Sequence, residues 1–106
     1  MDDDAQSRLS RIWAQGTYRV KPGAADEFAR VWLELAGYAV REFGVPQPTI
    51  LRDLDDANMF VTFGVWDSLR TLERFRSAPF VGERAAALAE LIEAAETKLL
   101  AEHGSW

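Results

Sequence analysis

The sequence predicts an α+β domain in the order β-α-β-β-α-β, built on a four-stranded antiparallel sheet. Three stretches predict it. Residues 12–20 alternate in polarity and stop at Pro22-Gly23. Residues 24–43 carry an apolar stripe of helical period. Residues 60–80, FVTFGVWDSLRTLERFRSAPF, run from a strand into a capped helix.

The first strand is expected over Ile12–Val20. Ile12, Ala14, Gly16, Tyr18 and Val20 share one parity, and Trp13, Gln15, Thr17 and Arg19 the other. The turn at Pro22-Gly23 leads into a helix over Ala24–Phe43, with Asp26 and Glu27 favourably placed in its first turn. Phe28, Val31, Trp32, Leu35, Ala39 and Phe43 form its apolar stripe, with Tyr38 at the edge. Leu33 and Val40 fall off that stripe, either as tolerated exposure or as a contact with another subunit. Gly44 fits the position just past the helix end.

A second strand is expected over Thr49–Leu54, followed by the turn Asp55-Asp56-Ala57-Asn58. So short a connection makes the third strand, Met59–Trp66, antiparallel to it. Asp67 or Ser68 caps the next helix, which carries Leu69, Leu72 and Phe75 on one face. Ala78-Pro79 interrupts that helix, and it resumes near Val81 with Leu88, Leu91, Ile92 and Ala95 continuing the stripe. Thr97–Glu102 reads locally as more helix. A fourth strand there completes the split ferredoxin-like arrangement, and topology favours the strand.

In the third strand Phe60 and Trp66 lie on one side, and Val61, Phe63 and Val65 on the other. A strand apolar on both parities is covered on both faces. Two helices on one face leave the second face, with Trp13 or its neighbours, to another chain or to water, and an apolar patch of that kind marks an interaction site. The expected assembly is therefore a homodimer with two sheets packed face to face.

At 106 residues and 48% hydrophobic content the chain holds one globular domain. Residues 11–103 form it, with a flexible N-terminal segment at 1–10 and a short tail at 104–106. There is no cysteine, and therefore no disulfide and no thiolate chemistry. A net charge of −5 with scattered Lys and Arg argues against nucleic acid. No apolar run is long enough to span a membrane, and the acidic start is the reverse of a signal peptide, so a cytoplasmic location is expected.

The familiar catalytic constellations are nearly empty. His103 is the one histidine, no Gly-rich phosphate loop or Gly-x-Ser-x-Gly elbow occurs, and Ser68 and Ser77 lack a histidine partner. Asp53, Asp55 and Asp56 lack the spacing of a calcium loop and read as a turn. What remains is a heavy aromatic load, most of it core. An apolar pocket between sheet and helices is the expected ligand site. Trp66, at the strand-to-helix junction, stands at one end of it. Tyr18, Tyr38, Arg52, Phe75 and Arg84 are further candidates for substrate contact, and Trp66, Tyr38 and Arg84 for catalysis. Ordinary explanations compete: Arg84 as a solvated helix residue, Tyr38 as a core-edge phenol.

Pro22-Gly23, the Phe-Val-Thr-Phe-Gly-Val-Trp-Asp-Ser run of residues 60–68, and Phe75 with Ser77-Ala78-Pro79-Phe80 resemble the antibiotic biosynthesis monooxygenase family of the dimeric α+β-barrel superfamily. The resemblance extends over Ile12–Glu102. It implies a homodimer and a cofactor-independent monooxygenase that oxidises an aromatic polyketide-like molecule with dioxygen, or a relative that keeps the fold as a non-catalytic binding or accessory dimer. Such chemistry asks little of a protein, because an electron-rich phenol, once deprotonated, itself reduces dioxygen. The superfamily's haem-degrading members use an asparagine, a tryptophan and a histidine. Aligned without gaps, this chain keeps the tryptophan as Trp66 but has Gly16 and Arg84 at the other two positions. The resemblance therefore implies no haem and no other cofactor or metal.

Overall fold

A computed structural model describes residues 11–104. The expected flexible segment 1–10 and the last two residues of the expected tail lie outside the described residues. The elements are β1 (Ile12–Val20), α1 (Ala25–Phe43), β2 (Thr49–Arg52), β3 (Met59–Trp66), α2 (Leu69–Arg76), α3 (Pro79–Ala89) and β4 (Ile92–Ala101). The four strands form one antiparallel sheet in the order β2-β3-β1-β4. This is the ferredoxin-like α+β arrangement, with the second helical segment divided in two.

The helices start and stop where local chemistry dictates. Gly44 ends α1 in the left-handed region, at φ 65°, and donates its N–H to the Val40 carbonyl. Ser68, rather than Asp67, caps α2: its Oγ accepts from the Thr71 N–H at 3.2 Å. Pro79 opens α3 from the first turn, where its missing N–H costs nothing.

Two boundaries differ from expectation. β2 stops at Arg52, and Leu54 is fully exposed at 102%. Asp53 Oδ1 accepts from the N–H groups of Asp55 and Asp56, at 2.7 and 3.0 Å, and this turn bends the chain away from the ladder. α3 ends at Ala89, so Leu91, Ile92 and Ala95 do not continue its stripe. Leu91 closes the last turn by donating to Leu88, and its carbonyl accepts from Lys21. From there β4 pairs with β1 from Val20↔Ile92 to Ile12↔Ala101. The local composition favours helix, and the open edge of β1 overrides it.

Register assigns the faces. Ile12, Ala14, Gly16, Tyr18 and Val20 of β1 lie beside Trp66, Gly64, Thr62 and Phe60 of β3 on the side that the helices cover. Trp13, Val61, Phe63 and Val65 lie on the opposite side and are half-buried.

The core falls into two clusters. One gathers Val20, Phe28, Val31, Phe60 and Leu88, and the other Ala39, Val45, Trp66 and Leu72. Between them the helix side of the sheet carries only small residues. β2 and β4 are the edge strands, and past Ile92 β4 is exposed along its whole length.

Candidate functional site

The gap between the clusters is a cavity of about 340 Å3 between sheet and helices. Its size is within the range of small-molecule sites, roughly 300–1,000 Å3. Ala14, Gly16, Thr62 and Gly64 form the floor, four neighbouring positions on β1 and β3. Tyr18 and Trp66 close the two ends. Trp32, Leu35, Ala36 and Ala39 of α1 line the roof, joined by Leu72, Phe75, Val81, Ala85 and Leu88. On the open side the wall is β4, at Thr97 and Leu99.

The end residues lean inward over the floor. The Tyr18 hydroxyl lies 2.6 Å from where a Cβ at Gly16 would stand, so only glycine leaves the ring its place. The Trp66 Nε1 lies 3.7 Å from the corresponding point at Gly64. Trp66 is 5% exposed, held by Phe43 at 6.4 Å and Phe75 at 4.9 Å between ring centroids. Among the described residues no acceptor meets its indole N–H, which faces the cavity. Burial pushes the Tyr18 phenol above its ordinary pKa, with the Thr62 hydroxyl beside it acting the other way. Tyr18 is thus a neutral phenol at physiological pH, able to donate a hydrogen bond.

Among the described residues the wall contains hydrogen-bond donors but no carboxylate and no imidazole. Such a cavity can hold an aromatic ring and stabilise an oxyanion on it. It offers no strong base.

Of the residues singled out from sequence, Tyr18, Trp66 and Phe75 border the cavity. The other three stand outside its wall, each held elsewhere. Tyr38 stacks on Phe80 at 4.7 Å, with Phe75 and Phe43 about it at 6.2 and 6.1 Å. Arg52 donates from Nε to the Ala57 carbonyl at 2.7 Å and lies over the Phe60 ring. Arg84 pairs with Glu34 at 3.0 Å, joining α3 to α1; its Nε is buried without a partner among the described residues. Sequence reasoning passed over Ala14, Gly16, Thr62 and Gly64 as site residues. Their signal was available: small residues at successive positions of one parity on two adjacent strands, between aromatic ends.

Residues 11–83 match the family model for antibiotic biosynthesis monooxygenases. The chain belongs to that family. The crystal structure of SnoaB, a cofactor-independent oxygenase from Streptomyces nogalater, is similar at a TM-score of 0.82 and 26% identity, over 91% of this chain and 96% of SnoaB. A conserved protein from Methanosarcina mazei Go1 shares the fold, with a TM-score of 0.78 at 17% identity over 95% of this chain and 99% of its own. No curated protein matches the sequence. For this member of the family, the cavity lies mainly within the matched region, and β4 adds a wall from beyond it.

Proposed function

We propose that this chain is a cofactor-independent monooxygenase of an aromatic polyketide-like small molecule, working as a homodimer in the cytoplasm. The observation that carries the reading is the cavity itself: a small-residue floor, aromatic ends and polar groups that donate. Kinship with the family and the likeness to SnoaB support it.

For an anthrone-type substrate the step balances without a bound cofactor. The ring methylene loses a proton, and the resulting enolate oxygen is stabilised by the donors of Trp66, Thr62 and Tyr18. An electron passes from the enolate to dioxygen, and recombination forms the carbon–oxygen bond of a peroxide, which takes up a proton. Loss of the second C–H proton then breaks the O–O bond. The methylene becomes a carbonyl and the other oxygen leaves as water, so the substrate supplies all four electrons. With no base in the wall, the substrate itself must be acidic enough to ionise.

Oxygen uptake with a panel of anthrones and hydroquinones tests this. The expected result is consumption above the spontaneous rate, with kcat at least about tenfold lower in Trp66→Phe, which keeps a ring and removes the N–H. Background uptake across the panel overturns the enzyme reading. The missing base favours a second reading, a non-catalytic binding dimer, which predicts background uptake with ligand binding retained.

The dimer rests on Trp13, Val61, Phe63 and Val65, an apolar sheet face that no helix among the described residues covers. Sedimentation at micromolar concentration should give twice the chain mass of 11.9 kDa. A species at the single-chain mass counts against it.

A further inference from the structure

We infer that the cavity selects an aromatic ligand bearing a negative charge, and that Arg76 is the residue that reads the charge. The inference rests on the proposal that this cavity is the substrate site.

Arg76 is the last residue of α2, exposed at the rim and part of the cavity lining. Its position follows from the helix. Leu72 is buried against the cavity, and four residues later Arg76 lies on the same face one turn further along. Ion pairs among the described residues occupy Arg11, Arg19, Arg30 and Arg84 and leave Arg76 without a carboxylate. Nor, among the described residues, does it stack on a ring, as Arg52, Arg74 and Arg84 do.

The surroundings are biased the same way. The whole chain carries a net charge of −5, yet α2 has three arginines and one glutamate. Among the described residues no acidic side chain lines the cavity, and its other cation, Lys98, is paired with Gln15 at a β4 position of the parity that faces away from the helices. Arg76 also lies in the last turn of a helix, where a cation offsets the carbonyl dipoles; that accounts for a basic residue there but not for its place on the cavity face. A planar guanidinium with no partner among the described residues, at the mouth of an apolar cavity, fits a carboxylate or phenolate on the outer edge of a ring system. The ring then enters over Gly16 and Gly64, and the edge to be oxidised lies innermost, toward the donors of Trp66, Thr62 and Tyr18. The charge would fix which end of the ligand enters first.

A matched pair of probes tests the assignment: anthraquinone-2-carboxylate and the neutral anthraquinone-2-carboxamide, titrated by tryptophan fluorescence at low salt. Wild type should bind the carboxylate roughly tenfold more tightly than the amide, a charge-assisted contact being stronger than a neutral one. Arg76→Gln should bring the carboxylate down to the amide's affinity and leave the amide unchanged. Arg76→Lys should keep part of the preference, and Arg70→Gln, on a side of α2 that does not border the cavity, all of it. Equal affinity of the two probes for wild type overturns the inference and leaves the cavity reading standing. So does a preference that survives in Arg76→Gln. Binding of neither probe overturns the cavity reading, and the inference with it.

Discussion

Phe28→Ala is expected to remove about 3–5 kcal/mol of stability, the range for deleting a fully buried aromatic side chain. Phe28 is 0% exposed, and its ring lies 5.2 Å from both Tyr18 and Phe60. It joins α1 to β1 and β3 in the larger of the two core clusters. Both neighbours are rings on rigid strands and cannot move far to fill the void, so the loss lies at the upper end of what such substitutions cost. For a domain of this length it corresponds to a fall in Tm of roughly 15 °C or more. Urea unfolding, with the slope compared between the two proteins, measures it. A loss below about 1 kcal/mol would show that Phe28 is not the anchor its packing implies.

Gly64→Leu is expected to abolish binding while leaving the fold intact. A Cβ at residue 64 meets only Trp66 Nε1 at 3.7 Å and Pro48 at 3.8 Å, both ordinary contacts. The first carbon therefore fits. The rest of a leucine side chain rises from the floor into the space a ligand would use. A strand also prefers a side chain to glycine, so the stability should change by less than about 1 kcal/mol. Ligand affinity should fall by more than about tenfold, because the site is filled rather than reshaped. Fluorescence titration beside thermal melting separates the two quantities. Unimpaired binding in a folded Gly64→Leu protein would place the ligand elsewhere. Gly16 cannot serve the same purpose, since a Cβ there meets the Tyr18 ring at 2.5 Å and displaces it.

These two variants divide what the sequence makes legible from what it does not. Phe28, Val31 and Trp66 announce themselves, because burial of large apolar residues at a helical or strand period leaves a pattern in the chain. β1, α1 and β3 were readable within a residue for that reason. β4 was not, since its Ala- and Glu-rich start favours helix and only its pairing with β1 makes it a strand. The cavity was harder still. It is made by what is missing, two glycines, an alanine and a threonine between large neighbours, and a search by chemical type picks out Tyr38, Arg52 and Arg84 instead. Those three had plausible side chains and ordinary occupations: a stack on Phe80, a hairpin carbonyl, an ion pair to Glu34. Arg76 does not stand out in the sequence, because charge in a last helical turn has a general explanation, and only the helix face distinguishes it.

The place of β1 at the centre of the sheet has a further consequence for how the protein is made. One of its neighbours, β3, follows after one helix and one short strand, but the other, β4, pairs Ile12 with Ala101 and is the last of the four strands to be made. During synthesis the first strand therefore waits with one edge open, and the loop that must close to satisfy it spans most of the domain. Closure over such a separation is entropically costly and slow compared with forming the helices. The β4 wall of the cavity is thus the last of its walls to be added. A nascent chain that stalls before Ile92 presents an unpaired strand edge to its neighbours, which is the condition under which sheets join the wrong partner.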